Sequence, residues 1–221
     1  MQEVLSAADV QVRLEDRGAL WRYKYGPGGS IDPLRPHALL TSGNHSDGVC
    51  DVSGAMTHID LLKDFAGALV GRLRIVYSGR VDWVVGSDHG SRALVTAIGL
   101  SLRARCDSSD KGPNNTQTWN RSVIGPNETV LHVEDLITTA STFQSVRAGI
   151  RAAHKYPIKF VPFAFVVVRR GNIESIDGSR VVSLLDLRFN EWALAECPLC
   201  AAGSQALRPK ESNNWALLNV K

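Results

Sequence analysis

The chain has no long hydrophobic run, no run of one charge, no internal repeat and little cysteine. Its longest strongly apolar stretch is the eight residues 161–168, and Pro162 interrupts even that. A membrane span needs about 20, so a soluble protein is expected. Residues 1–10 contain Glu3 and Asp9 and lack a basic start followed by an apolar core, so no secretory signal is expected. Lys+Arg 25 against Asp+Glu 22 leaves +3 with no basic run, which sets nucleic-acid binding aside. Four cysteines in 221 residues do not make a disulfide scaffold, and a reducing cytoplasm is the expected setting. There is neither a G-x-x-x-x-G-K-[ST] loop nor a G-x-G-x-x-G turn. Both absences argue against a nucleoside triphosphatase and a dinucleotide-binding fold.

What is there reads as globular: 44% hydrophobic and 21% charged residues exclude a disordered chain. The length suits one sizeable domain, or a core with a small cap. Gly26-Pro27-Gly28-Gly29 is a turn, and a second turn-rich stretch covers residues 32–54. Ile59, Leu62, Phe65, Ala66, Leu69 and Val70 recur at helical spacing, which predicts a helix over 57–72. An α/β rhythm follows: strand 81–85, helix 91–102, strand 130–133, helix 141–154, strand 161–168 and strand 181–187. Such alternation implies a parallel sheet with right-handed crossovers, whose ligands bind beyond the carboxyl ends of the strands. The loops to inspect are therefore 86–90, 134–142 and 169–172. Residues 105–120 are rich in Gly, Pro, Asn, Asp and Ser. They are expected to form either a functional lid or a plain surface loop.

The string Val130-Leu131-His132-Val133-Glu134-Asp135-Leu136-Ile137-Thr138-Thr139-Ala140-Ser141-Thr142 concentrates chemistry. It is a buried strand, two carboxylates, and a hydroxyl-rich turn that opens a helix. Backbone N–H groups at a helix start, with hydroxyls around them, suit a phosphate monoester. Adjacent carboxylates suit vicinal hydroxyls or Mg²⁺. One element would thus grip a sugar 5-phosphate at both ends. For each residue taken singly, helix capping by Asp135 or the threonines is the competing reading.

The string closely resembles the phosphoribosyl pyrophosphate (PRPP) motif of type I phosphoribosyltransferases. The resemblance implies their α/β fold, a parallel sheet flanked by helices with a small hood from the N- and C-terminal segments. It also implies roles. Glu134 and Asp135 hold the ribose hydroxyls, and Thr138, Thr139, Ala140, Ser141 and Thr142 wrap the 5-phosphate. Ala140-Ser141 stands where the family usually has glycine. Ser87, Asp88, His89 and Gly90, after the strand at Val84-Val85-Gly86, match the pyrophosphate loop. His37-Ala38-Leu39-Leu40-Thr41-Ser42-Gly43 resembles the hood segment of orotate phosphoribosyltransferases. Val166-Val167-Val168-Arg169-Arg170 resembles the strand whose terminal arginine meets the orotate carboxylate, with Arg169 in place of the usual Asp. The tail Glu196-Cys197-Pro198-Leu199-Cys200 resembles a short bacterial subgroup.

The implied reaction is transfer of ribose 5-phosphate from PRPP to a pyrimidine base, orotate first, as in pyrimidine biosynthesis. Arg170, Thr41 and Thr138 would contact the base. Asp135 would act at the ribose, and Lys111 and Arg105 are the lid cations expected at the reacting centre. Mg²⁺ would enter with PRPP, and a homodimer is implied. The alternatives are a catalytically weak PRPP- or nucleotide-binding regulatory protein, or a transferase for another base. Gly48-Val49-Cys50 stands where the family places aromatic residues, so base stacking is expected to be lost. The expected segments are a hood over 1–56, a PRPP-binding core over 57–190 and a tail over 191–221. Cys197-x-x-Cys200 has zinc-knuckle spacing, but zinc needs four ligands. Cys50 and Cys106 lie in unrelated segments, so no metal site is expected. His132 reads as a core or sheet-face residue, and Trp215 as packing against the body.

Overall fold

The alternation of β-branched runs with amphipathic segments yields an α/β chain in a computed structural model that describes residues 5–219. Residues 1–4 and 220–221, the outer ends of the expected hood and tail, lie outside that description. In chain order, the first elements are α1 (Ala7–Asp16), β1 (Leu20–Arg22), β2 (His37–Leu39), β3 (His45–Ser46), β4 (Gly48–Cys50), α2 (Val52–Ala55) and α3 (Ile59–Val76). Then come β5 (Trp83–Gly86), α4 (Arg92–Leu102), β6 (Arg105–Ser108), β7 (Asp110–Lys111), β8 (Gln117–Thr118), β9 (Thr129–Ile137) and α5 (Ser141–Ala152). The last are β10 (Lys159–Arg170), β11 (Ser175–Ile176), β12 (Ser179–Leu187), β13 (Glu191–Trp192), α6 (Pro198–Ala201), β14 (Ala206–Leu207) and α7 (Asn214–Leu218).

The chain divides into two units. The first comprises residues up to 13 and residues 52–187; the second comprises 14–51 and 188 onward. The dividing points differ from the expected 56/57 and 190/191, and α1 begins in the first unit.

The first unit is built on a six-stranded sheet of order β11-β12-β10-β9-β5-β6. All its pairings are parallel except β11 with β12 at one edge. The helix over 57–72 is observed as Ile59–Val76, with Leu61, Phe65, Ala66, Leu69, Val70 and Leu73 buried. On α5, Val146 and Ile150 pack with Trp83, Val85 and Val130, while Phe143 packs with Ile137, Ala164 and Val166. The β9–β10 register slips between Phe160 and Ala164. Pro162 lies in that interval and has no N–H to give the ladder. Because the strands are parallel, residues 86–90, 137–142 and 170–172 leave the sheet at one edge. None of the helices in the described residues is long and apolar enough to cross a membrane.

The second unit has a sheet of order β13-β3-β2-β14 and the pair β1-β4. Its core holds Trp21, Tyr23, Ala38, Cys197, Leu199, Leu207 and Leu218, with Trp192 and Trp215 against it. Trp215 Nε1 donates to the Gly18 carbonyl at 2.8 Å, so the tail tryptophan packs as expected. The expected isolation of the Cys197/Cys200 pair does not hold. Strands β2 and β3 set His37 and His45 beside it. Pairing of strands distant in sequence supplies what the spacing alone does not show.

Candidate active site

The two adjacent carboxylates part company in the fold. Successive residues of a strand face opposite sides of a sheet, and Glu134, only 3% exposed, turns into the protein. Its Oε1 accepts from the Ser87 amide at 2.9 Å and from His132 Nε2 at 2.8 Å. Its Oε2 accepts from Ser87 Oγ at 2.6 Å. Both oxygens are committed to protein donors, so Glu134 fixes the start of the 87–90 loop. The expectation that it holds ribose hydroxyls beside Asp135 is revised on that ground. His132 is the buried sheet residue the sequence predicts. Its ring stacks on Phe143 at 3.7 Å, and burial holds its pKa below the usual value despite Glu134.

Asp135 is half-buried and lies directly against Gly90. A Cβ on Gly90 would come within 2.6 Å of Asp135 Oδ2, so only glycine lets the loop rest on that carboxylate. Beyond β9, Thr138, Thr139, Ser141 and Thr142 are exposed. The N-cap of α5 is Ala140, with no side-chain capping hydrogen bond. The first N–H groups of a helix such as α5 have no partner inside the helix, and a helix start of this kind suits phosphate. Ala140, in the place of the family's glycine, takes φ +65°. His89 takes φ +54°. Left-handed backbone at a residue with a side chain is strained, and such strain gathers at binding sites.

A cleft of about 370 Å³ brings six of the expected residues together. Ser87, Asp88 and His89 line one side, Ser141 and Thr142 another, and Lys111 and Gln117 a third. Asp88, a carboxylate where pyrophosphate is expected, accepts from Arg92 at 2.7 Å. The His89 amide and Arg92 hold its carboxyl below the usual range, and Arg92 offsets the charge. Gln117 is a cleft residue that sequence reasoning missed. A glutamine in a polar loop carries no pattern.

The 105–120 segment divides in two. Residues 105–108 are the edge strand β6. Edge strands tolerate polar residues, which is why a sequence reading takes this one for loop. Residues 110–118 form a hairpin, β7 paired with β8. The Ser109 amide donates to the Gly86 carbonyl at 3.0 Å. Ser109 Oγ donates to Gln117 Oε1 at 2.7 Å. Gly149 of α5 lies against the hairpin: a Cβ there would come within 2.2 Å of the Gln117 carbonyl oxygen. The hairpin is thus anchored at its base and carries Lys111 to the cleft.

Arg105, the other expected lid cation, is excluded from the cleft. It pairs in register with Trp83 at the amino ends of parallel strands, about 10 Å of strand away from the carboxyl edge. There it forms an ion pair with Glu128 and lies over the Trp83 ring, 4.4 Å from the centroid.

Arg169 is bound to β12. Its Nε and NH2 donate to the two oxygens of Asp186 at 2.7 and 2.6 Å, so it replaces the family's Asp with a cross-strand ion pair. Arg170 follows at the strand end. A Cβ on Gly171 would sit 3.9 Å from the Thr138 carbonyl oxygen, which puts the 170–171 turn against the turn after β9. Thr41 belongs to the second unit, exposed on the turn between β2 and β3. In that unit the Phe189 ring occupies the space above Gly48, with Cδ1 2.0 Å from where a Cβ would stand. An aromatic ring from the other end of the chain thus packs at this segment, with the Arg22 guanidinium 4.9 Å from its centroid.

No family model matches the chain. A curated relative from Acidithiobacillus ferrooxidans, named orotate phosphoribosyltransferase, is 27% identical over 176 residues, covering 80% of this chain and 89% of that one. A second of the same name, from Pelotomaculum thermopropionicum, is 29% identical over 178 residues, with 80% and 89% covered. Among solved structures, orotate phosphoribosyltransferase from Aeropyrum pernix matches with TM-score 0.57 at 18% identity, covering 80% of this chain and 93% of that one. The chain has the type I phosphoribosyltransferase fold, and the orotate phosphoribosyltransferases are its relatives in sequence.

Proposed function

We propose that this chain transfers ribose 5-phosphate from PRPP to orotate. A base nitrogen attacks the anomeric carbon as its bond to pyrophosphate oxygen breaks, and pyrophosphate leaves with that electron pair. The observation that carries this reading is the cleft itself, where the α5 start, the 87–90 loop and Lys111 meet. On this reading residues 138–142 take the 5-phosphate, Asp135 the ribose hydroxyls, and Ser87, Asp88, His89 and Gly90 the pyrophosphate. Lys111 stabilises the negative charge that builds on the leaving group. Arg170 and Thr138 belong to recognition of the base, with Arg170 matched to a carboxylate.

Asp88 on the 87–90 loop and Asp135 near the carboxyl end of β9 are hard oxygen donors and fit Mg²⁺. Such an ion, entering with PRPP, supplies charge neutralisation of the pyrophosphate. A homodimer acting in the cytoplasm completes the reading. A second reading, a PRPP binder of low turnover, draws on the Ala140 Cβ at the phosphate loop.

Loss of orotate absorbance in the presence of PRPP and Mg²⁺ tests the first reading. No loss would overturn it, and calorimetry with PRPP then tests the second. Asp135→Ala should weaken PRPP binding by about 10- to 100-fold, the value of one or two charge-assisted hydrogen bonds. Unchanged affinity would remove Asp135 from the ribose.

A further inference from the structure

We propose that the second unit holds a structural zinc ion on His37 Nε2, His45 Nδ1, Cys197 Sγ and Cys200 Sγ. These four atoms lie within 4.8 Å of one another. The two nitrogens are 2.8 Å apart. Cys200 Sγ is 3.4 Å from His37 Nε2 and 3.3 Å from His45 Nδ1, and Cys197 Sγ is 3.7 Å from His37 Nε2. Around a tetrahedral zinc with bonds of about 2.0–2.3 Å, ligand atoms stand roughly 3.3–3.8 Å apart. The cluster, 4.8 Å at its widest, therefore accepts the ion with shifts of up to about 1 Å.

The groups around the four ligands are arranged as second partners of a metal site. Ser204 Oγ donates to the Arg35 carbonyl at 2.6 Å, so toward His37 Nδ1, 2.8 Å away, it acts as acceptor. That assigns the ring proton to Nδ1 and aims the bare Nε2 lone pair into the cluster, the device that orients metal-bound histidines. The Cys200 amide donates to Cys197 Sγ at 3.5 Å, which holds that sulfur in place. Pro198 opens the short helix α6, and the tight Cys-Pro-Leu-Cys turn presents both sulfurs to the histidines. His37, His45 and Cys197 are buried and Cys200 is half-buried.

Four protein ligands leave no coordination position for water or substrate, so the site is structural. It joins β2 and β3 to the turn that leads into β14, segments about 160 residues apart. It also fixes both ends of the hairpin turn that carries Thr41. The two histidines are the ligands that the Cys-x-x-Cys spacing lacks. The inference stands independently of the proposed reaction.

The test uses full-length chain, purified without a metal-affinity tag under reducing conditions. Metal analysis should find about one zinc per chain. Cobalt substituted for zinc should give tetrahedral d–d bands and a thiolate-to-cobalt charge-transfer band. Cys200→Ser and His45→Ala should lower zinc affinity about 100-fold or more in chelator competition, because each removes a ligand. Ser204→Ala should lower it about 10-fold. Cys106→Ser, outside the cluster, should retain the metal. If the ligand variants do not fold, the cobalt spectrum of the unmodified chain decides. Absence of zinc after reconstitution overturns the proposal. So does a six-coordinate cobalt spectrum without the thiolate band, or loss of zinc in Cys106→Ser equal to that in Cys200→Ser. Zinc content is read without any turnover, so its outcome is separate from that of the orotate assay.

Discussion

The cleft of the first unit and the His/Cys cluster of the second are built on opposite plans. The cleft is lined by the 87–90 loop, the β7–β8 hairpin and the hydroxyl-rich start of α5, and two of its approaches bend through left-handed residues with side chains, His89 and Ala140. Its stiffness comes from behind. Glu134, buried and hydrogen-bonded three times, pins Ser87 to β9. The cluster has no loop freedom and little exposure, with four ligand atoms closed on one point. An open site with a rigid rear wall suits a ligand that enters and leaves, while a closed one suits an ion that stays. The same chain thus separates exchange from fixation.

Three changes sharpen that contrast. The largest effect is expected from Glu134→Ala. It leaves the Ser87 amide, the Ser87 hydroxyl and His132 Nε2–H without their buried acceptor, at about 1–3 kcal/mol for each unsatisfied group. Chemical denaturation should show a loss of about 3 kcal/mol or more, with PRPP affinity falling alongside. Zinc content should hold, and its loss would mean that the two regions are not separate.

Ala140→Gly is expected to act in the other direction. Left-handed backbone costs alanine about 1–2 kcal/mol, and glycine's greater unfolded-state freedom takes back about 0.5–1. The remainder, about 0.5–1 kcal/mol, should raise Tm by about 2 °C. A fall in Tm would show that the Ala140 Cβ makes favourable contacts that outweigh the strain.

The smallest effect belongs to Arg105→Ala. Its pair with Glu128 is half-exposed and is worth about 0–1 kcal/mol. Orotate turnover should be unchanged, and a drop of tenfold would return Arg105 to the reacting centre.

The cleft was legible from sequence to the extent that its parts are contiguous. Residues 134–142 carry carboxylates, hydroxyls and the helix start in one string, so local chemistry points to the site before any fold is known. Helix α3 and strand β12 were readable for a similar reason, because burial of one face imposes a period on the residues. The polar strand β6 was not, since a sheet edge exposes its residues and erases that period. Arg105 was misplaced through it. Strand direction put the arginine at the far end of the sheet from Lys111, although the two are six residues apart.

The order of residues alone therefore determined the helices, the parallel strands and the hydroxyl-rich turn before α5, because each depends on neighbours within one element. Tertiary structure decided which of two adjacent carboxylates faces outward, which lid cation reaches the cleft, and what stands beside the Cys-x-x-Cys turn. Those outcomes depend on pairing between strands, and the free energy of pairing resides in contacts between residues far apart in the chain.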